Sequence, residues 1–150
     1  MKTSVLNIAQ WFLCKESMTH KKLQKLCYYA QAWHLALLNE PLFADEIQAW
    51  IHGPVIPALY ARYADYGWNE IPKAESSDLV FPEKTLQVLE TVWNTYKGLD
   101  GDQLESLTHS EGPWIEARNG IPSYLPCTNS ITCESMSTFY KRIWQEAQND

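Results

Sequence analysis

The chain has 150 residues, a length that suits one domain with its own hydrophobic core and without support from disulfides or metals. We therefore expect a single domain over residues 1–150. Hydrophobic residues make up 45% of the sequence and charged residues 20%, which is typical of a globular chain and excludes a disordered one. Lys and Arg total 12 and Asp and Glu total 18, and the resulting formal charge of −6 disfavours binding to nucleic acid.

The N-terminal segment does not have the pattern of a signal peptide. Polar residues such as Asn7 and Gln10 interrupt its apolar positions, so an unbroken apolar run with a small-residue cleavage site is missing. No apolar run approaches the roughly 18 residues of a helix that spans a bilayer. We therefore expect a cytoplasmic protein with no membrane partner.

Two amphipathic helices are predicted at the start of the chain. The first has Thr3 or Ser4 as its N-cap and ends between residues 15 and 17. The second begins at Thr19 and ends before Pro41, and its apolar stripe predicts a helix through the core: Leu23, Leu26, Cys27, Ala30, Trp33, His34, Leu37 and Leu38. The polar residues of this helix are predicted to face solvent: Lys21, Lys22, Gln24, Lys25 and Gln31. The three lysines among them would form a basic patch.

A small β element follows the second helix. The segment EIQAWIHG alternates apolar and polar residues, which predicts one short strand that buries Ile47, Ala49 and Ile51. The sequence from His52 to Pro54 favours a corner at the end of this strand over an exposed binding loop. A helix is then predicted from Pro57 to Gly67. The segments WNEI and DLVF either pair as a loose hairpin or form a loop.

Further helices complete the pattern. One follows Pro82, a short one is capped by Asp100 or Asp102, and the last is capped by Ser130 or Thr132. The sequence therefore predicts a mainly α fold: a compact helical domain of about five to seven helices with a small inserted β element.

The segment LTHSEGPW places a histidine, a hydroxyl and a carboxylate close together. In an enzyme, His109 would be a base, Glu111 its orienter, and Ser110 or Cys27 the nucleophile. Ser110, however, directly follows His109, so on a helix the two side chains point apart. The glycine pattern of a G-x-S-x-G nucleophile turn is also incomplete.

A structural role explains more of the same segment. Thr108 and Glu111 have the spacing of a capping box, and Pro113 suits the first turn of a helix. His109 then ties the entrance of that helix to a neighbouring backbone. The helix is predicted to pack two residues inward and to end at a glycine: Trp114, Ala117 and Gly120. We favour this interpretation and do not expect an enzyme.

Metal and cofactor motifs are weak. A metal site would combine His109 and Glu111 with His52, or with His20 and His34, but HExxH and the deaminase-type signature are absent, so we expect neither a metal nor a cofactor. For His34, on the apolar stripe, a hydrogen-bonded core position is favoured. The cysteines include no CxxC pair, which favours buried thiols over a four-cysteine zinc site: Cys14, Cys27, Cys127 and Cys133.

Four stretches occur together in the order and spacing of a known family: LQKLCYYAQAWHLALLNEPLF, IQAWIHGPVIPALYARYADYG, LTHSEGPWIEARNG and ITCESMSTFYKRI. They resemble the Panacea domain, also called the SocA-like or phage-associated antitoxin family, from about Val5 to Trp144. The recurrent positions of the family correspond to Leu26, Tyr28, Trp33, Leu35, Trp50, Gly53, Pro54, Val55, Thr108, His109, Pro113 and Trp114. Cys27 stands where an aliphatic residue is more usual, which fits a core position.

The resemblance implies a mainly α antitoxin for which no catalytic residues are established. Family members with assigned roles neutralise a toxin protein by binding it, so the expected partner is a cognate toxin encoded nearby in a bacterium or prophage. An adaptor that presents a partner to a protease, or an enzyme that uses His109 and Glu111, are the alternatives. The predicted partner-binding residues are Trp50, His52, Gly53, Pro54, Tyr66, Trp68, His109 and Glu111, and Trp11 is expected to be a further exposed anchor.

Overall fold

A computed structural model describes residues 3–75 and 79–149, which contain seven α-helices and one two-stranded sheet. The helices are α1 (Val5–Lys15), α2 (His20–Leu38), α3 (Pro57–Tyr63), α4 (Glu83–Tyr96), α5 (Gly101–His109), α6 (Gly112–Arg118) and α7 (Cys133–Gln148). The strands are β1 (Gln48–Trp50) and β2 (Gly53–Val55). The predicted mainly α fold is confirmed. Within the described ranges, each helix is too short or too polar to cross a bilayer.

Four helices begin at the capping residues that the sequence indicates. Ser4 accepts a hydrogen bond from the Leu6 amide, and Thr19 accepts one from the Lys22 amide. Asp100 forms a reciprocal capping box with Gln103 at the start of α5, and Thr132 caps α7. These short polar side chains bind backbone N–H groups that have no partner within the first helical turn.

Helix α2 lies at the centre of the fold and packs against α1, α3, α4, α5, α7 and β2. Every residue from Leu23 to Ala32 is buried, so the prediction that Gln24, Lys25 and Gln31 face solvent is wrong. A helix enclosed on all sides buries its polar positions as well, and these must then find partners within the protein. Gln31 binds the Leu42 amide and the Phe43 carbonyl.

The β element is a hairpin and not the single strand that the alternation predicts. Strand β1 pairs antiparallel with β2, with Ala49 opposite Pro54 and Trp50 opposite Gly53. Ile47 and Ala49 are buried as predicted. Alternation marks only β1, because the three residues of β2 are all buried and show no alternation.

The segments between α1 and α4 differ in part from the predictions. Helix α3 ends at Tyr63 and a 3₁₀ turn continues to Tyr66, directly before Gly67. Ile71 of WNEI pairs with Met18 in an isolated bridge, not with DLVF, and Asp78 of that segment lies outside the described residues.

Candidate functional site

The LTHSEGPW segment joins two helices instead of capping one. Thr108 and His109 form the last turn of α5, and the Thr108 hydroxyl donates to the Glu105 carbonyl, so the predicted capping box with Glu111 is wrong. Glu111 occupies the N-cap position of α6 without a side-chain capping bond. The spacing misleads because an N-cap residue needs extended backbone geometry, whereas Thr108 is still helical.

Pro113 lies in the first turn of α6 and Trp114 is buried, both as predicted. Helix α6 ends at Arg118, two residues before the predicted end at Gly120, and Asn119 is its left-handed C-cap. A stack of three side chains forms here. The His109 ring lies 3.9 Å from the Trp114 ring at an interplanar angle of 17°, and the Arg118 guanidinium lies 4.9 Å from the same Trp114 ring.

This stack holds the backbone of the hairpin. Arg118 Nη1 donates to the Ala49 carbonyl at 2.9 Å, and Trp114 Nε1 donates to the Trp50 carbonyl at 2.8 Å. The His109 ring forms a hydrogen bond with the Ile51 backbone. Three successive residues of the hairpin are therefore fixed from one side.

Burial lowers the pKa of His109, with Glu105 and the Ile51 hydrogen bond acting in the opposite direction. The ring is therefore kept neutral at neutral pH and holds the backbone as a neutral hydrogen-bonding group. His109 bonds to a neighbouring backbone as predicted, but it lies at the end of α5, so the prediction that it ties the entrance of the next helix is wrong.

Arg118 is the residue that sequence reasoning missed. It is 2% exposed, and it also donates to the Pro122 and Leu125 carbonyls. Its position in ARNG, beside a helix end rich in polar residues, is typical of a solvated arginine. Only the spacing of four between Trp114 and Arg118, which places them on the same helical face, hints at the stack.

Helix α2 holds the hairpin from its other end. Gln24 binds both the amide and the carbonyl of Ile56, at 2.8 Å and 3.2 Å, and Lys25 Nζ donates to the Pro54 carbonyl at 3.2 Å. We call Gln24, Lys25, His109, Trp114 and Arg118 the hairpin frame.

Gly53 is required where the two sides of this frame meet. Its φ is +105°, and a Cβ atom there would lie 2.8 Å from Lys25 Cε and 2.9 Å from Thr108 Oγ1. Both the backbone geometry and the close approach exclude a larger residue. Gly53 and Pro54 are therefore buried parts of the hairpin and not the exposed contacts that the sequence predicts.

Lys25 is 1% exposed, and burial together with the charge of Lys21 lowers its pKa to about 7, with Glu105 acting in the opposite direction. At neutral pH the neutral amine is therefore far more populated than in an ordinary lysine. The predicted basic patch of Lys21, Lys22 and Lys25 does not exist as a surface, because its third member lies inside the protein.

Beside the hairpin lies a cleft of about 570 Å³ between α2, α3, the hairpin and the segments 16–19, 67–70 and 98–102. Its aromatic wall is a row of three rings: His20 lies 5.9 Å from Tyr60, which lies 5.1 Å from Trp50. Trp68 stands at the cleft with 85% of its surface exposed.

His52 also lines this cleft, at the exposed turn of the hairpin. Its Nδ1 lies 3.2 Å from Glu105 Oε1, and the same carboxylate oxygen lies 2.6 Å from Lys21 Nζ.

The structure separates the predicted partner-binding residues into three groups. Trp50, His52 and Trp68 line the cleft. Tyr66 is exposed on the 3₁₀ turn, with its ring against Tyr63. The others are buried or half-buried within the frame or beside it: Gly53, Pro54, His109 and Glu111. Trp11, expected to be exposed, is buried against Phe12 because it lies on the inner face of α1.

Glu111 belongs to a different cluster. Its Oε1 accepts hydrogen bonds from Tyr29 at 2.6 Å and Tyr140 at 2.8 Å, and the Tyr140 and Tyr28 hydroxyls are 3.0 Å apart. We call Glu111 and these three tyrosines the tyrosine cluster. Burial raises the pKa of Glu111, and the two hydroxyl donors partly oppose that shift.

The remaining candidates from the sequence are His34 and the four cysteines. His34 is a core histidine as predicted, with its ring nitrogens 2.7 Å from the Glu40 carbonyl and 2.9 Å from Thr85 Oγ1. Cys27 and Cys127 are buried, whereas Cys14 is half-buried and Cys133 is exposed, because Cys133 begins α7 at the surface. Burial raises the pKa of the Cys27 thiol. In residues 3–75 and 79–149, no group of three or more His, Cys, Asp or Glu side chains is arranged to hold a metal ion.

A family model described as "Antitoxin SocA-like, Panacea domain" matches residues 23–115. This match covers more than half of the chain, which therefore belongs to the SocA-like Panacea family. The matched range contains both sides of the hairpin frame except Arg118, and it ends before α7, so it is shorter than the resemblance from Val5 to Trp144. No curated protein and no solved structure matches the chain significantly.

Proposed function

We propose that this protein is an antitoxin that neutralises a cognate toxin by direct binding, and that the cleft beside the hairpin is the contact surface. Membership of an antitoxin-like family supports a protein partner. The choice of surface rests on the exposure of Trp68, whose large aromatic side chain is 85% exposed. Trp68 lies beside a cleft whose wall contains two further aromatic rings, those of Trp50 and Tyr60.

The physical properties of this surface suit protein binding. Tryptophan and tyrosine dominate the binding energy of many interfaces, and Trp50, Tyr60 and Trp68 all line the cleft. The hairpin that carries Trp50 and His52 is fixed by side-chain bonds to its backbone, so little conformational entropy is lost when a partner binds. The formal charge of −6 speeds the approach of a basic partner.

Co-expression with the neighbouring reading frame tests this function. We expect that frame to be lethal alone and harmless together with this protein. A Trp68→Ala variant should weaken toxin binding by about tenfold or more, because an exposed anchor is lost without a change in folding. Tyr124→Ala, which removes another aromatic residue with 76% exposure, is the matched control for binding and should change affinity by no more than about twofold.

Two results would contradict the proposal. If the neighbouring product is harmless alone, or stays toxic in the presence of this protein, the antitoxin function is wrong. If Trp68→Ala binds the toxin as tightly as Tyr124→Ala does, the cleft is not the contact surface.

An adaptor that delivers the partner to a protease is the second candidate. It requires a second surface, and Tyr124 with Leu125 provides exposed apolar side chains in the loop between α6 and α7. Partner half-life separates the two functions. Delivery predicts that Tyr124→Ala still binds the partner but no longer shortens its half-life, whereas blocking predicts the same half-life with and without this protein.

We further propose that the protein is not an enzyme and that His109 acts through the hairpin frame. His109→Ala should lower the melting temperature clearly, because the ring stacks on Trp114 and holds the Ile51 backbone. Any loss of toxin binding should then follow the loss of stability. A stable His109→Ala protein that has lost its function would favour the enzyme hypothesis instead.

A further inference from the structure

Two polar groups at the cleft have hydrogen-bonding capacity that no described residue fills. Lys25 Nζ carries three N–H donors when protonated, and among the described residues the acceptor bonded to it is the Pro54 carbonyl at 3.2 Å. His20 Nδ1 is buried and has no hydrogen-bond partner in the same part of the chain. Lys25 and His20 both line the cleft. Buried polar atoms without partners are uncommon in folded proteins and indicate a missing ligand or water.

No carboxylate in the described part of the chain forms an ion pair with Lys25. Glu105 is the acidic group that acts on it electrostatically, and that carboxylate is already bound by Lys21 at 2.6 Å and lies 3.2 Å from His52. The ionisable groups that interact with Lys25 from α2 and α5 are His20, Lys21, Glu105 and His109.

Acidic side chains also line the cleft, but three of the four have partners within the protein. Asp100 caps α5, Asp102 binds Lys21 at 2.7 Å, and Glu70 accepts a hydrogen bond from Ser17 at 2.9 Å. Glu16 is the fourth. The free N–H donors of Lys25, and of His20 in the tautomer that carries its proton on Nδ1, suit an anion and not a cation.

The rest of the cleft is apolar. Met18, Val55 and Leu99 join the Trp50 and Tyr60 rings along its walls. Its volume of about 570 Å³ lies in the usual range of small-molecule sites, and apolar walls with a few polar groups are typical of such sites.

We infer that the cleft binds a carboxylate attached to a flat aromatic or apolar group. The carboxylate lies against Lys25 and His20, and the apolar part packs on Trp50 and Tyr60. This chemistry has two sources, a free aromatic acid or the C-terminal carboxylate of a peptide that ends in an aromatic residue. The first does not require the antitoxin function, although a small acid would occupy the surface proposed for the toxin, and the second rests on that function.

Such a ligand has a signature that simple apolar binding lacks. A carboxylate beside Lys25 favours the protonated amine, so the pKa of Lys25 rises from about 7 when the ligand binds. Binding above pH 7 therefore takes up a proton, and affinity falls as the pH rises further.

The test uses 2-naphthoate and its uncharged analogue 2-naphthamide, with binding measured by titration calorimetry on the full chain. We expect the acid to bind at least about tenfold more tightly than the amide at about pH 7, and to lose affinity towards about pH 9. Measurements in buffers with different ionisation enthalpies should show proton uptake. Lys25→Met should remove the preference for the acid, whereas Lys141→Met, which removes a lysine bonded to Asn39 away from the cleft, should keep it.

A second pair of probes distinguishes the two sources. A short peptide that ends in tryptophan is compared with the same peptide carrying a C-terminal amide. Tighter binding of the free-carboxylate peptide than of naphthoate assigns the site to a protein partner, and the reverse assigns it to a small acid. If neither acid binds better than its amide, or binding takes up no proton, the inference is wrong. The wild-type measurements decide this even if Lys25→Met fails to fold.

These outcomes are separate from the proposed function. If Lys25→Met still neutralises the toxin while naphthoate binding is lost, the antitoxin function stands and the carboxylate site has another use. If neither acid binds but the toxin does, only the inference fails.

Discussion

The hairpin frame and the tyrosine cluster both bury ionisable groups, but they use them in opposite ways. In the frame, Lys25 and Arg118 donate to backbone carbonyls of the hairpin and of the loop after α6. In the tyrosine cluster, hydroxyl donors converge on the single carboxylate of Glu111. The frame therefore fixes the shape of a surface loop, whereas the cluster joins side chains of α2, α7 and the start of α6.

The difference also has an electrostatic consequence. Lys25 and Glu111 both shift towards their neutral forms, since burial penalises a charge that lacks an oppositely charged partner. A lowered lysine pKa and a raised glutamate pKa give opposite dependences of stability on pH. The two regions can therefore be examined separately in one protein.

The largest expected effect is the removal of Arg118 from the hairpin frame. Arg118→Ala leaves the carbonyls of Ala49, Pro122 and Leu125 without their donor and opens a void against Trp114, so we expect a loss of about 3–4 kcal/mol in the free energy of unfolding. Urea denaturation measures this loss. Arg142→Ala, an arginine on the exposed side of α7, is the matched control and should stay within about 0.5 kcal/mol of the wild type.

Hydrogen exchange then tells whether the effect of Arg118→Ala is confined to the frame. The Ala49 amide, which donates to the Asn129 carbonyl, should exchange faster than in the wild type even under conditions where the protein stays folded. Equal losses for both arginine variants, or an unchanged Ala49 amide, would mean that Arg118 does not hold the hairpin.

Local signals in the sequence were enough to predict most helices of both regions. Ser4, Thr19 and Thr132 begin helices because capping depends on neighbouring backbone amides, and a core position for His34 follows from the apolar face on which it lies. Such features depend on residues within a few positions of each other, and the printed sequence contains all of them.

The hairpin frame could not be predicted from the sequence, because its hydrogen bonds join residues that are far apart in the chain. The burial of Lys25 depends on the hairpin lying over α2, and the role of Arg118 depends on the carbonyl of Ala49, 69 positions earlier. Polar residues on a helix are usually solvated, so the sequence placed Lys25 on the surface and gave no reason to expect Arg118 inside the protein. The family resemblance named Gly53 and His109, but not Lys25 and Arg118, the two basic residues that hold the hairpin.

A smaller effect is expected from Lys25 and concerns the pH dependence of stability. The folded pKa of about 7 lies below the ordinary value of 10.5, so the unfolded chain binds more protons between these limits, and Lys25 makes the protein more stable as pH rises from 7. Below pH 7 the amine is protonated in both states, and the full free-energy cost of burying its charge opposes folding. The free-energy difference between wild type and Lys25→Met should therefore change in favour of the wild type by up to about 1.4 kcal/mol per pH unit between about pH 7 and 9.

Denaturation of both proteins across this pH range measures the change, and taking the difference removes the titration of groups that they share, such as Cys27. Lys141→Met serves as control and should run parallel to the wild type. A Lys25→Met curve that is also parallel would show that the amine is solvated and keeps an ordinary pKa.

The smallest effect is expected from Glu111, and its sign is opposite. Its raised pKa means that the folded protein binds the proton more readily than the unfolded chain, so its contribution to stability falls as pH rises from 4.5 through the folded pKa. Glu111→Gln keeps an acceptor for Tyr29 and Tyr140 and should stay within about 1 kcal/mol of the wild type at neutral pH. On acidification the wild type should gain stability relative to the variant, as measured by urea denaturation from about pH 7 to about pH 4.5. Glu116→Gln, on the exposed face of α6, is the matched control. If the wild type instead loses stability relative to Glu111→Gln on acidification, the two tyrosine hydroxyls lower the pKa of Glu111 more than burial raises it. Glu111 is then held as a carboxylate, just as a bound carboxylate ligand would hold Lys25 as a cation.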